Sequence, residues 1–304
     1  MTRRRLAIAI VAVSGCGVGL WRTVLRGEAQ LQTDFPVLWH SDNLAVAEAD
    51  SAGHVLGHVR IQVMPKAAVL DAATGRLRFR TERRIGMESD MLLSRDARPL
   101  PGGGFAWLSG DRISVWRPGT EVAVFEHPMG RGHTCDLGGL RLDWPTAKVT
   151  LYHYYPDGGE SAPPDYWVVD LLNGEFRPRT PDPEDTARRP RVADTKFRLP
   201  VGTRVQRVID RGDVTAIVWR RDEQFDVGFL LRAVKHTGVT VYQTGEDRSR
   251  EIGSVRIRHS GVLAFGRWFG SSTGDGVWNV ALDAANGRLF VSRRGETTAY
   301  GLAR

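Results

Sequence analysis

The side chains of this sequence that could do chemistry are scattered acids, a few histidines, one internal cysteine and a knot of aromatics. Asp136, Asp143, Asp210, Asp213 and Asp275 are the acids that could converge. Two or three carboxyls held roughly 5–9.5 Å apart would suit hydrolysis of a glycosidic bond, so a small glycan-active enzyme is one expectation. His54 and His58 have the i, i+4 spacing of a helical metal pair. They lie in Ala52-Gly53-His54-Val55-Leu56-Gly57-His58, however, where two glycines argue against a helix. On a strand they share a face but stand too far apart for one ion, and His127 with His133 is no stronger, so no metal ligand is assigned. Cys135, in Gly132-His133-Thr134-Cys135-Asp136, has the residue types of a cysteine nucleophile, although a lone cysteine more often acts as a small buried hydrophobe. The sequence assigns no catalytic residue.

Aromatics mark a second kind of candidate. Tyr152, Tyr154, Tyr155, Tyr166 and Trp167 bracket the polar loop 156–165, and a longer polar stretch runs from Arg177 to Leu199. Long loops on a rigid scaffold carry binding, so these five aromatics are the expected contact residues. Plain strand packing of the tyrosines, and a solvated linker at 177–199, are the alternatives.

Such residues need a scaffold, and its elements are hairpins. Leu70-Asp71-Ala72-Ala73-Thr74-Gly75-Arg76-Leu77 returns 212 residues later as Leu282-Asp283-Ala284-Ala285-Asn286-Gly287-Arg288-Leu289, with seven of eight positions identical. A looser copy is Val169-Asp170-Leu171-Leu172-Asn173-Gly174-Glu175-Phe176. In each unit an aspartate can accept hydrogen bonds from amides two residues on, and the glycine supplies the positive φ that closes a hairpin. Two further hairpins are expected about Pro118-Gly119 and His236-Thr237-Gly238. The turn glycines 75, 119, 174, 238 and 287 are spaced 44, 55, 64 and 49 residues, with a further apolar strand before each hairpin. Three- or four-stranded units at that spacing predict an all-β protein, a β-propeller of about five to seven blades. A two-sheet sandwich is the competing architecture.

The turn units resemble the quinoprotein-type (PQQ-like) propeller repeat. The resemblance rests on the Asp71–Gly75 and Asp283–Gly287 units and more weakly on Asp170–Gly174. It departs from that family in lacking the tryptophan that follows the glycine, the nearest aromatics being Phe79, Phe176 and Phe290. Quinone enzymes of this family hold their cofactor with an adjacent Cys-Cys pair and calcium-binding acids, which this chain lacks. The resemblance therefore implies a non-enzymatic member with no cofactor, because a fold alone carries no activity.

The first 28 residues read as an address. Arg3-Arg4-Arg5 precede the apolar run Leu6–Val13, and Val13-Ser14-Gly15-Cys16 resembles the bacterial lipobox, with Cys16 the lipidated residue. The stretch Leu6–Trp21 is also close to the roughly 17–25 residues of an anchor helix, and Trp21 beside Arg22 suits an interface. A plainly cleaved signal is the third option. All three export residues 29–304. Of 42 basic residues all but Lys66, Lys148, Lys196 and Lys235 are arginine, and removing the first 16 residues takes away three arginines and no acid, lowering the formal charge from +7 to +4. The arginines are dispersed, which argues against a nucleic-acid or nucleotide partner. The expected protein is thus an exported, membrane-tethered, non-catalytic binding module whose partner is an envelope protein or glycan.

Overall fold

The computed structural model describes residues 29–61, 64–81, 97–128, 135–153, 163–183, 197–227, 230–245, 249–264, 267–270, 278–293 and 295–302. The lipidation candidate Cys16 and the rest of the leader lie outside them, as do Tyr154, Tyr155, His133 and Asp275. Along the chain, β1 (Ala29–Thr33) and β2 (Val37–Ser41) precede three four-stranded meanders. The first is β3 (Leu44–Ala49), β4 (His54–Ile61), β5 (Met64–Asp71) and β6 (Leu77–Arg80). The second is β7 (Ala97–Pro99), β8 (Phe105–Ser109), β9 (Arg112–Trp116) and β10 (Ala123–Glu126). The third is β11 (Cys135–Asp143), β12 (Thr146–His153), β13 (Asp165–Asp170) and β14 (Phe176–Pro178). Then come β15 (Arg204–Arg211), β16 (Val214–Val227), β17 (Leu230–Thr244), β18 (Ser249–Ala264) and β19 (Arg267–Gly270), and finally β20 (Asn279–Asp283), β21 (Arg288–Arg293) and β22 (Glu296–Gly301).

The strands fall into two compact units, one from residues 1–35 with 194–276 and one from 36–193 with 277–304. The first holds one sheet of order β1-β18-β17-β16-β15, with β19 on β18. The second holds the three meanders and a fourth sheet of order β2-β22-β21-β20, in which an N-terminal strand completes three C-terminal ones. Within this second unit β3 lies against β20 on one side and β7 on the other, and β11 lies against β7 and β8.

Burial follows from that stacking. Every residue of β3 is buried, since both faces of its sheet are covered. Val46, Ala49, Val55 and Ala72 pack on Ala281, Phe290 and Ala299 of the fourth sheet. Ala47, Leu56 and Val69 pack on Phe105, Trp107 and Trp116 of the second meander. Leu108, Ile113 and Val115 meet Leu137, Val149, Leu151 and Val169 of the third. Each buried valine, leucine, isoleucine or phenylalanine among them contributes about 1.5–3 kcal/mol by leaving water, and each alanine about a methyl's share of under 1 kcal/mol.

The predicted turns form as their chemistry dictates. Asp71 Oδ1 accepts from the amides of Ala73 and Thr74 and from the Thr74 hydroxyl, while the Gly75 amide donates to the Asp71 carbonyl at 2.8 Å with φ +70°. In the second copy the Leu172 amide donates to Asp170 Oδ1, and Gly174 (φ +78°) to the Asp170 carbonyl. In the third the Asn286 amide and side chain both donate to Asp283.

Two expectations need correction. Gly238 lies inside the continuous strand β17, opposite Trp219 of β16 and Arg256 of β18, so no hairpin forms at 236–238. Its missing side chain serves packing, because a Cβ there would meet the Trp219 ring at 2.7 Å. The turn glycines also do not mark one equivalent position. Gly75, Gly119 and Gly174 join the third and fourth strands of their meanders, whereas Gly287 joins β20 to β21, the strand that packs on β3 and its neighbour.

Asp71 also sets a pH dependence. The Arg78 guanidinium at 2.7 Å, helped by the turn bonds, holds its carboxyl down to about 2 from an ordinary 3.8. A lowered folded value means stability that is present above about 3.8 and lost as pH falls towards 2. The stability difference between wild type and Asp71→Asn, measured by urea unfolding, should therefore be constant from pH 7 to 5 and shrink between pH 4 and 2. A difference that stays flat to pH 2 would refute the assignment.

Candidate functional site

The buried acids come first, since any acid–base chemistry would begin with them. Asp50, in the β3–β4 turn, has a fully buried side chain. Its Oδ1 accepts from the amides of Ala52 (3.0 Å) and His54 (2.7 Å), and its Oδ2 from the Gly104 amide (2.8 Å) and His54 Nδ1 (2.9 Å). Gly104 belongs to the next sheet, so this carboxylate ties two sheets together. Asp283, equally buried, is committed to Asn286, with Arg288 at 3.6 Å. Burial raises the Asp283 carboxyl above its ordinary value, and the neighbouring charge of Asp50 adds to the rise. Both acids sit where the sheets' first hairpins turn, and neither reaches solvent.

The exposed chemistry gathers instead at the third meander, at the ends of the strands that lead into and out of residues 154–164. His153 ends β12 and Asp165 opens β13, and His153 Nε2 lies 2.9 Å from Asp165 Oδ2. Alternation along the strands sorts the neighbours into two faces. On one face Trp167 stands opposite Val149 and packs on the core, and His127 meets it edge-on, with ring centres 4.6 Å apart. His127 also abuts Phe176 at 5.0 Å, and its amide donates to the Asp111 carbonyl. On the other face Thr150 stands opposite both Gly138 and Tyr166, and Tyr152, 44% exposed, leans its ring over Gly138. The Arg179 guanidinium lies 5.2 Å from the Tyr166 ring centre. Lys148 Nζ bonds Asp182 Oδ2 at 2.7 Å, and Arg179 Nη1 lies 3.6 Å from the same oxygen.

Of the five aromatics expected to bind, Tyr152 and Tyr166 therefore share a face, on which Tyr152 is exposed, Tyr166 half-buried and Thr150 between them buried; Trp167 points to the opposite, packed face, and Tyr154 and Tyr155 lie outside the described residues. Asp143 and Asp136 belong to this unit and Asp210 and Asp213 to the other, where the Thr215 hydroxyl bonds Asp210 at 2.6 Å. His54 bonds Asp50 and His58 is buried further along the same strand. Among the described residues no group of three or more His, Cys, Asp or Glu is placed to hold a metal ion. No helix among them is long and apolar enough to cross a membrane. Lys148, Arg179 and Asp182 were missed by sequence reasoning. Their signal was the alternation that puts 148 on the face of 152, and 179 opposite 166.

His127 gives a second pH test. Burial lowers its imidazole below the ordinary 6.5, opposed by the charges of Asp111 and Asp165 and reinforced by His153. A lowered value means that its contribution to stability is present above pH 6.5 and lost as the imidazole protonates below it. The urea midpoint of wild type should fall from pH 7 to 5 by more than that of His127→Phe; parallel curves would refute this.

These sheets and their aromatic, charged face define an all-β, propeller-like protein. No protein-family model matches the chain, and no curated protein matches it. Among solved structures it is similar to the hydrazine synthase of Kuenenia stuttgartiensis, at 12% identity and TM-score 0.34, covering 87% of this chain and 76% of that one. It is also similar to an endo-arabinase from Bacteroides thetaiotaomicron, at 12% identity and TM-score 0.28, covering 90% and 98%.

Proposed function

We propose that this chain is an exported, membrane-tethered β-propeller of five to seven blades that acts as a non-catalytic binding module at the cell envelope. Its tether is Cys16, lipidated and left by cleavage as the mature N-terminus, and its repeats are of the PQQ-like type without the quinone chemistry. Four sheets of one unit count as blades in this reading, supported by their stacking through β20, β3, β7 and β11 and by β2 completing the sheet of β20–β22. The observation that carries the non-catalytic reading is the fate of Asp50 and Asp283. They are two of the three acids buried among the described residues, the third being Glu48, which accepts from the Ala49 amide. Asp50 and Asp283 give their carboxylates to turn amides and are sealed from solvent, whereas the exposed aromatic and charged groups lie together around Tyr152. A surface of that kind suits recognition of an envelope component.

Intact mass and membrane fractionation of the native protein against Cys16→Ser test the tether. A mature chain that begins at Cys16 with acyl mass, and is released by the substitution, supports the reading. Cleaved, soluble protein in both cases removes the tether and returns the small glycan-active enzyme to consideration. Full-length mass with unchanged retention replaces the lipid with a 6–21 anchor.

A further inference from the structure

We infer that the far end of the β15–β19 sheet dips into the lipid bilayer, so that the chain meets the membrane through folded strands as well as through its leader. This deepens the tethered reading above and rests on its placing the chain at a membrane. β15 pairs with β16 only as far as Arg220, and beyond that row β16, β17 and β18 run on together, joined near the end by β19. Register sorts these last residues into rows. The pairs Val227–Leu230 and Ala264–Arg267 stand in the last row. Asp226, Leu231, Leu263 and Trp268 form the row before it. Phe225, Arg232, Val262 and Phe269 form the one before that. Successive rows belong to opposite faces of a sheet, so this end is apolar on both faces, with one charged residue in each row. Further in, the rows turn polar. Glu223 and Ser260 flank Val234, Asp222 and His259 flank Lys235, and Arg221 and Arg258 flank His236. A boundary between apolar and polar rows thus crosses the sheet at right angles to its strands.

Two features choose a bilayer over a protein partner. A second chain would cover one face and leave the other in water, whereas lipid surrounds both. The course of β1 is the other. It runs antiparallel to β18, with Thr33 opposite Val255 and Ala29 opposite His259, so it enters the sheet from the apolar end, on the edge that β19 continues. From the His259 row to that end is about 17 Å at about 3.3 Å per residue. The chain from Cys16 to Ala29 can span up to about 45 Å, so a lipid on Cys16 and the apolar rows can enter one leaflet together. Charge does not select this partner, because the polar rows carry both signs, Asp222 and Glu223 against Arg221, Lys235 and Arg258. The backbone sets the depth. Among the described residues no strand lies beside β16 past Arg220, and hydrocarbon does not tolerate unpaired amides and carbonyls. The three apolar rows, about 7 Å along the strands, therefore stop at the boundary of headgroups and acyl chains. Interfacial elements lie about 5–10 Å deep there, and tryptophan is favoured.

Bromolipid quenching of the native protein in phosphatidylcholine vesicles tests this, with bromine carried either high or deep on the acyl chains. The tryptophan emission that Trp268→Phe removes should lose at least half its intensity to the high bromines and much less to the deep ones. Leu263→Asp puts a carboxylate into the row of Trp268 and should cut the quenching of the whole protein to that of Trp268→Phe. Circular dichroism establishes that each variant folds, and the conservative Trp268→Phe carries the test should Leu263→Asp unfold. Trp268 emission untouched by bromolipid, or unchanged quenching in folded Leu263→Asp, overturns the proposal. Quenching of Trp268 by aqueous iodide instead would put that end in water. Protection from both quenchers, with a doubled mass by light scattering in detergent, would put a second copy on it. The tether is judged separately by mass and fractionation. A tethered chain without Trp268 quenching sinks this inference alone, and Trp268 quenching in a chain without acyl mass sinks the lipid tether alone.

Discussion

Asp50→Ala is expected to lower the stability of its unit by about 3 kcal/mol, and Asp50→Asn by less. The carboxylate takes four hydrogen bonds and is fully buried. All four donors, the amides of Ala52, His54 and Gly104 and the His54 ring, lose this partner in the alanine variant, and each polar group that stays buried and unpaired costs about 1–3 kcal/mol. The Gly104 amide is the costlier loss because it belongs to the next sheet and cannot follow a local rearrangement of the 50–54 turn. Asparagine keeps one acceptor oxygen but turns its amide nitrogen towards a donor, which explains an intermediate loss. A second readout separates this from simple turn damage. Burial is the main cause that raises the Asp283 carboxyl and the Asp50 charge adds to it, so either substitution should move the Asp283 titration, followed by NMR, downward while leaving it raised. Urea unfolding with a loss below about 1 kcal/mol would contradict the bridging role.

What was legible in the sequence was local. The Asp-Ala-Ala-Thr-Gly unit specifies its turn through bonds within five residues, and so Asp71, Asp170 and Asp283 were found with the roles they have. Asp50 escaped because its unit, Asp50-Ser51-Ala52-Gly53-His54, has its own spacing, and its decisive donor lies 54 residues away. Gly238 reads as a turn residue in the sequence because a glycine between apolar runs signals a hairpin whenever the chain reverses. Here the chain continues, and the glycine makes room for the Trp219 ring from the paired strand. Nothing within a few residues of 238 distinguishes the two cases. The candidate site divides the same way. The aromatics near 152–167 were visible as composition, but which of them face outward depends on register. Register also brings Lys148 and Arg141 opposite one another across a bulge between Gly138 and Arg141.

The turn glycines themselves give the second large effect, ordered by what lies above them. A Cβ on Gly174 would stand 2.2 Å from Cδ1 of Phe125, a ring that reaches over from β10 of the neighbouring sheet. On Gly75 it would stand 2.9 Å from the ring of Trp39, whose Nε1–H donates to the Ala72 carbonyl at 3.0 Å. On Gly119 it would meet nothing within 4 Å. All three glycines have positive φ, so alanine at each carries a backbone cost of roughly 1–2 kcal/mol. Gly119→Ala should stop there. Gly75→Ala and Gly174→Ala must also displace an aromatic from a neighbouring sheet, for about 2–5 kcal/mol in all at Gly174, since overpacking alone costs about 1–3 kcal/mol. The paired variant decides between ring displacement and backbone strain. If Phe125 is what the new methyl meets, Gly174→Ala with Phe125→Ala will be less destabilising than the sum of the two singles by at least about 1 kcal/mol, because contacting residues do not add. Additivity would mean that the turn conformation alone sets the cost, and the aromatic would then be a bystander to the joint between these sheets. Coupling would make Phe125 on Gly174, and by the same logic Trp39 on Gly75, the device by which the fourth strand of one sheet grips the last hairpin of the next.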